Sequence, residues 1–260
     1  MMVAVPHRLG STRPHWRYTV RQAAWAAVDL IFPPRCGGCE KIGHRYCPNC
    51  LTSLQYLPPP LCEHCGDPLA RGEAGRCAAC RRKSDSALTG TRSVAFFEGP
   101  LQHALHRLKY KRDIILADSL ARLLHAAWQT QALPGEVVIP VPLSPQRLRE
   151  RGYNQAGLLA RGFAELAGLQ YALDGAARVR HTVSQVGLTA EQRCANVVGA
   201  FEGRPRVVAG CAVILVDDVR TTGATLEACA EALRAAGAAS VWGLTLARTR
   251  WSQSNSSVPR

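Results

Sequence analysis

The sequence predicts an α/β fold, a parallel sheet flanked by helices, preceded by a small cysteine-rich domain. Three observations predict it. From about residue 90 onward, short apolar runs alternate with stretches of helical period, the pattern of strands joined by crossover helices. Before residue 84 the composition is instead dominated by Cys, Pro and Gly. One apolar run, Ala212–Val216, is uninterrupted, as expected for a central strand covered on both faces. The 260 residues are 47% hydrophobic and 20% charged, sufficient for a real core in a soluble chain. The formal charge of +13 favours polyanionic partners, whether nucleic acid, anionic lipid or a polyphosphate, without choosing among them.

The elements follow in order. Residues 1–32 read as a polar tail and an amphipathic helix, AAWAAVDLIF, expected to pack on the protein. Asp29 interrupts that run, and PPRC follows in place of a small-residue cleavage site, so it is not read as a signal peptide. No run approaches the ~18 apolar residues of a membrane span. Residues 33–83 form the small domain and 90–248 the larger one; 249–260 are a polar tail expected to fray. Within the larger domain RSVAFF is a strand, and LQHALHRLKYKRDIILADSLARLLHAAW gives one or two helices. VVIPVPL is a buried strand, SPQRLRERGYNQ a basic loop, and AGLLARGFAELAGL a helix closed by Gly168. AARVR is a strand, HTVSQVGLTAEQRCANVVGAF a loop with some helix. CAVILVDDV, GATLEACAEALRAAGA and SVWGLTLAR complete the alternation as strand, helix and strand.

Eight of the eleven cysteines fall into four CxxC pairs: Cys36/Cys39, Cys47/Cys50, Cys62/Cys65 and Cys77/Cys80. A CxxC turn presents two thiolates to one metal, and four pairs supply two tetrahedral Cys₄ zinc sites. Sequential pairing of the turns is the simplest arrangement, and an interleaved one stays open. Full thiolate coordination makes the zinc structural, and so few apolar residues make it the main source of folding free energy there. His44 and His64 lie nearby as alternative ligands, but are expected to face solvent. A reducing compartment, hence the cytoplasm, suits free thiols.

The stretch VILVDDVRTTGATL carries the chemistry. Asp217 and Asp218 come at the carboxyl end of the central strand, where a crevice opens in such sheets. Ionised carboxylates only accept hydrogen bonds and so suit hydroxyls or a cation. Thr221, Thr222, Gly223, Ala224 and Thr225 make a turn into a helix, whose first N–H groups suit a phosphate. A diol beside a phosphate is ribose 5-phosphate.

This stretch resembles the phosphoribosyl-pyrophosphate signature of type I phosphoribosyltransferases. The resemblance implies Asp217 and Asp218 on the ribose hydroxyls, residues 221–225 around the 5′-phosphate, and Mg²⁺ bridging the diol and the pyrophosphate. It places pyrophosphate at Arg147, Arg149 and Arg151, and makes HTVSQVGLTAEQR a lid with Arg178, Gln185 and Arg193 as contacts. The ordered set PPRCGGC, CPNC, CEHCG, CAAC, LKYKRD, RERGYNQ, VSQVGLTAEQR and VDDVRTTGAT resembles the ComF/GntX family, associated with DNA uptake and natural transformation. The fold so implied is a type I phosphoribosyltransferase fold preceded by a double zinc ribbon. Single-stranded DNA is then an expected partner, on Arg107, Lys109, Tyr110, Lys111 and Arg112, as are a helicase or channel of DNA uptake. The expected location is cytoplasmic, with peripheral contact at the inner membrane left open. A metabolic phosphoribosyltransferase, with the zinc domain in place of a base-recognising hood, and a sensor without turnover are the alternatives. No residue stands out as a general base.

Overall fold

The computed structural model describes residues 16–82, 85–180 and 197–250. Five parallel strands form the central sheet: β1 (Gly90–Phe96), β2 (Val137–Pro140), β3 (Gln170–Tyr171), β6 (Ala212–Arg220) and β7 (Ser240–Arg248). Their order is β1-β7-β6-β2-β3. Two short strands, β4 (Ala176–Arg178) and β5 (Phe201–Gly203), pair antiparallel beside it.

Side chains alternate across a strand, and two cores result. Val138, Ile214, Val216, Leu244 and Leu246 pack under α4 (Gly99–Tyr110), α5 (Leu116–Gln131) and α7 (Gln155–Ala167). Val137, Ile139, Val213, Leu215 and Val241 face α9 (Ala224–Ala235) and the short α8 (Pro205–Val208). Gly168, at φ 68°, ends α7 in the left-handed conformation that a glycine tolerates.

One element differs from the sequence reading. The basic segment read as a loop contains a helix, α6 (Pro145–Arg151). Ser144 caps it by accepting from the Arg147 N–H at 3.3 Å, Pro145 opens it, and Gly152 ends it at φ 80°. The paired carboxylates lie near the carboxyl end of β6, where pairing with β7 continues from Asp217↔Thr245 to Arg220↔Arg248.

The amphipathic helix α1 (Trp16–Ile31) packs on the protein, through its polar and aromatic face. Tyr18 is buried, Arg21 pairs with Asp118 at 2.9 Å and Glu165 at 2.7 Å, and Arg45 lies over Trp25 at 5.3 Å. Trp16, Val20, Leu30 and Ile31, with Phe32 just beyond the helix, face outward. Among the described residues no helix is long and apolar enough to cross a membrane.

The cysteine-rich region, with the short helices α2 (Pro48–Thr52) and α3 (Ala78–Arg82), lies against the β1 edge of the sheet and against α4 and α5. The Thr91 N–H donates to the His64 carbonyl at 2.6 Å, and Arg92 donates to the Glu63 carbonyl at 3.0 Å. His64 is held there, its Nε2 3.1 Å from the Leu88 carbonyl, rather than facing solvent as its sequence position suggested.

Phe163, fully buried and edge-on to Trp128 at 5.8 Å, tests the larger core. Phe163→Ala in zinc-loaded protein is expected to cost about 3–5 kcal/mol, read as a lowered urea midpoint at unchanged slope.

Candidate functional site

A cleft of about 610 Å³ opens at the carboxyl ends of β2 and β6. Its floor holds Asp217 and Asp218, successive residues of β6 whose carboxyls are within hydrogen-bonding reach of each other. Asp218, 4% exposed, forms an ion pair with Lys109 near the end of α4. Burial opposes the charge on Asp218, but Lys109 outweighs it and holds the carboxyl below the usual range. Asp217 is half-buried, and burial together with the Asp218 charge pushes its carboxyl well up. The floor is therefore one acid kept ionised beside one that resists ionisation until a cation or donor arrives.

The rim of the cleft is built by the turn after β6. Gly223, at φ 85°, begins α9 without a side chain to cap its first turn. Thr222 Oγ1 accepts from the Ala224 N–H at 3.3 Å. Thr221, Gly223 and Thr225 line the cleft. Such a helix start directs N–H groups and the positive end of the helix dipole at the space in front of it.

Arginines supply the opposite charge. Arg147 and Arg151 on α6 and Arg178 at the end of β4 all line the cleft. Burial, and then the neighbouring Arg147, pushes the Arg178 guanidinium down, while Asp217 works the other way. The fourth wall is aromatic: Phe97 and His106 have ring centroids 5.8 Å apart, and His106 meets Tyr110 edge-on at 5.9 Å. Arg151 reaches over Tyr110 at 5.2 Å, joining α6 to α4 across the mouth.

The cysteines gather into two sets, Cys36, Cys39, Cys47, Cys50 and Cys62, Cys65, Cys77, Cys80, with the sulfurs of each set within 4.8 Å of one another. This is the sequential pairing. Tetrahedral zinc with bonds of about 2.3 Å needs sulfurs about 3.8 Å apart. The Cys36–Cys50, Cys39–Cys47 and Cys65–Cys77 separations are 3.6, 3.7 and 3.7 Å. Backbone amides already point at the sulfurs: Cys47 N–H to Cys36 at 3.3 Å and Cys77 N–H to Cys62 at 3.2 Å. Burial favours the neutral thiols, yet these amides bring Cys36 and Cys62 down to about 6. Burial and their companion cysteines push Cys50 and Cys65 up. A zinc ion stabilises all four thiolates together, so the donor set fits it.

Two family models match this layout, a double zinc ribbon domain over residues 27–85 and a phosphoribosyl transferase domain over residues 148–256. Competence protein F of Haemophilus influenzae is 33% identical over 228 residues, covering 82% of this chain and 90% of that protein. The chain belongs to the ComF/GntX family. The DNA utilization protein YhgH of Escherichia coli K12 is 32% identical over 223 residues, covering 74% of this chain and 98% of its own. Competence protein ComFC of Bacillus subtilis is 27% identical over 242 residues, covering 88% and 91%.

In this ComF/GntX chain the structure brings together Asp217, Asp218, Thr221, Gly223, Thr225, Arg147, Arg151 and Arg178. Thr222 and Ala224 belong to the same turn without lining the cleft, and Arg149 points to solvent. Gln185 and Arg193 lie outside the described residues. The cluster expected to meet nucleic acid divides. Arg107 turns inward to Asp113 at 2.7 Å and to the Cys36 carbonyl at 3.1 Å, and Lys109 is engaged by Asp218. Tyr110, Lys111 and Arg112 stay exposed. Among the described residues no zinc-ribbon residue lines the cleft, so the ribbons do not form a hood over it. The wall in that place is Phe97, His106 and Tyr110. Sequence reasoning missed Phe97 and His106, although His106 and Tyr110 are four apart on one helix, a spacing that signals a shared face.

Two outcomes follow from this geometry. Chelating the zinc is expected to make residues 33–83 protease-sensitive, read by limited proteolysis and mass spectrometry; a segment that stays resistant contradicts the structural role. Lys109→Met is expected to raise the Asp218 pKa, observed by carboxyl ¹³C NMR titration. The Asp218–Lys109 pair stabilises the fold above the unfolded carboxylate pKa, and that contribution is lost as pH falls through the lower folded value. In the variant, acid unfolding is expected to lose this share of its pH dependence.

Proposed function

We propose that the chain serves DNA uptake, a reading supported by relatives named for competence and for DNA utilization, and that its cleft binds phosphoribosyl pyrophosphate with Mg²⁺. The observation that carries the reading is the joining, in one cleft, of an acidic floor, an anion-cradling helix start and four arginines. Acids and arginines together suit a ligand with a diol at one place and phosphates on either side. About 610 Å³ is ample for a sugar pyrophosphate.

In this reading Asp217 and Asp218 accept hydrogen bonds from the ribose 2′- and 3′-hydroxyls. Lys109 keeps Asp218 ionised, hence an acceptor only. The 5′-phosphate lies on residues 221–225, and the pyrophosphate faces Arg147, Arg151 and Arg178, with guanidinium forks matched to phosphate oxygens. Arg149 adds charge from the surface, and Gln185 and Arg193 belong to the lid. Mg²⁺, when bound, neutralises the pyrophosphate and makes it a better leaving group. Single-stranded DNA enters along Tyr110, Lys111 and Arg112, with Tyr110 offering a stacking face to a base and the two cations meeting phosphates.

The test is ³¹P NMR of zinc-loaded protein with phosphoribosyl pyrophosphate and Mg²⁺, before and after adding pooled nucleobases or a single-stranded oligonucleotide. Broadened ligand signals without conversion support a binding protein. Pyrophosphate released with one additive makes the chain a phosphoribosyltransferase and names the acceptor class. Asp217→Asn with Asp218→Asn is expected to weaken ligand affinity about tenfold or more, the scale of hydrogen bonds to charged groups. Unchanged affinity in the folded double variant defeats the site assignment. Oligonucleotide affinity is expected to fall steeply with salt. Lys111→Ala with Arg112→Ala is expected to reduce the log–log slope by about 0.7 for each phosphate no longer neutralised. A salt-insensitive or absent interaction removes the DNA part.

A further inference from the structure

Among the described residues the zinc domain does not line the cleft, yet it is bonded to a residue that does. Arg220, the last residue of β6, lines the cleft between the acid pair and the phosphate turn. In register beside it is Arg248, the last residue of β7 and only 3% exposed. Two guanidiniums at neighbouring strand ends repel. One carboxylate joins them: Asp67 Oδ1 is 2.8 Å from Arg220 Nη1 and pairs also with Arg248.

Asp67 sits in the second zinc knuckle. Its carbonyl accepts from the Cys62 N–H at 2.8 Å, and the Gly66 N–H donates to the Cys62 carbonyl at 2.9 Å. Arg220 Nη1 donates to the carbonyl of Cys65, a zinc ligand, at 2.8 Å as well. The knuckle is pressed against the sheet: a Cβ on Gly66 would lie 2.5 Å from the Thr91 carbonyl oxygen, and φ there is +68°. On its other side Arg220 meets the turn, with its Nε 3.1 Å from where a Cβ on Gly223 would stand. A continuous path of bonded and packed groups therefore runs from the zinc-ligand turn through Asp67 and Arg220 to Gly223.

We propose that Asp67 is a positioning residue that holds Arg220 against the phosphate turn, and that zinc at the second site and an anionic ligand in the cleft therefore stabilise each other. The affinity part rests on the reading of the cleft as a phosphoribosyl-pyrophosphate site; the positioning part does not. Linkage requires the effect to be reciprocal: if zinc ligation orders the turn that binds phosphate, phosphate binding must slow zinc loss. The first zinc site, whose Cys36 carbonyl is held by Arg107 instead, has no such path to the turn among the described residues and serves as the internal control.

The experiment uses the full chain loaded with two zinc ions, as wild type and as Asp67→Asn, which keeps the shape of the knuckle and removes the charge. Amide hydrogen exchange is expected to quicken in residues 219–226 of the variant, with the α5 and α7 core unchanged and both zinc ions retained. Zinc release to a coloured chelator is expected to show one of the two ions released more slowly with saturating phosphoribosyl pyrophosphate and Mg²⁺, and this protection to shrink in the variant. Affinity for the ligand is expected to fall about fivefold or more, the lower range of coupling between sites. Equal exchange in residues 219–226 overturns the positioning role whether or not the ligand binds. If wild type shows no ligand binding at all, the reading of the cleft fails, and the exchange result alone decides the role of Asp67. Ligand binding with equal protection of both zinc ions, or of neither, overturns the coupling.

Discussion

Two carboxylates in succession on a buried strand impose the arrangement around them. Asp217 and Asp218 interrupt an apolar run that is otherwise covered on both faces, and charge in such a place requires a partner. Lys109 answers Asp218 from α4, which fixes where that helix ends relative to the sheet. Arg178, Arg147 and the turn at Gly223 surround the side of Asp217. The cleft is the space left between these answers, and its mixture of acid, base and helix start follows from the strand that carries the pair.

The same logic of charge answered across a boundary joins the two domains. Each ribbon has the carbonyl of one of its zinc ligands held by an arginine of the larger domain, Arg107 on Cys36 and Arg220 on Cys65. Backbone carbonyls are dependable acceptors with no side-chain freedom to lose, and these contacts act beside apolar ones, with Leu54 and Tyr46 of the ribbons packed into the larger core.

Much of this was legible in the sequence. The CxxC pairs, the apolar run before Asp217 and the turn after it are local, and their chemistry depends on spacing along the chain. The α/β alternation was legible because helix and strand periods differ. What stayed hidden depends on contacts between distant residues. Lys109 and Arg107 read as a basic surface cluster until the fold placed Asp218 beside one and Asp113 and Cys36 beside the other. His64 read as a solvent residue because its partner, Leu88, follows 24 positions later. The helix at Pro145–Arg151 was legible in principle, since Ser-Pro before it and Gly after it are start and stop signals, but its density of arginine suggested a loop.

The strand order has a consequence for how the molecule is made. Among the described strands β1 pairs in the sheet only with β7, Gly90 against Trp242. On a ribosome adding about 5–20 residues per second, roughly 150 residues separate the two, an interval of about eight to thirty seconds. All eight cysteines of the CxxC pairs have emerged by then. The ribbons can thus take up metal and hold the β1 edge, through the Thr91 N–H and the His64 carbonyl, while the sheet still lacks its inner strands. In the order of synthesis the zinc-bearing segment precedes every strand of the sheet, and β7, the last described strand, pairs with the edge strand that this segment holds.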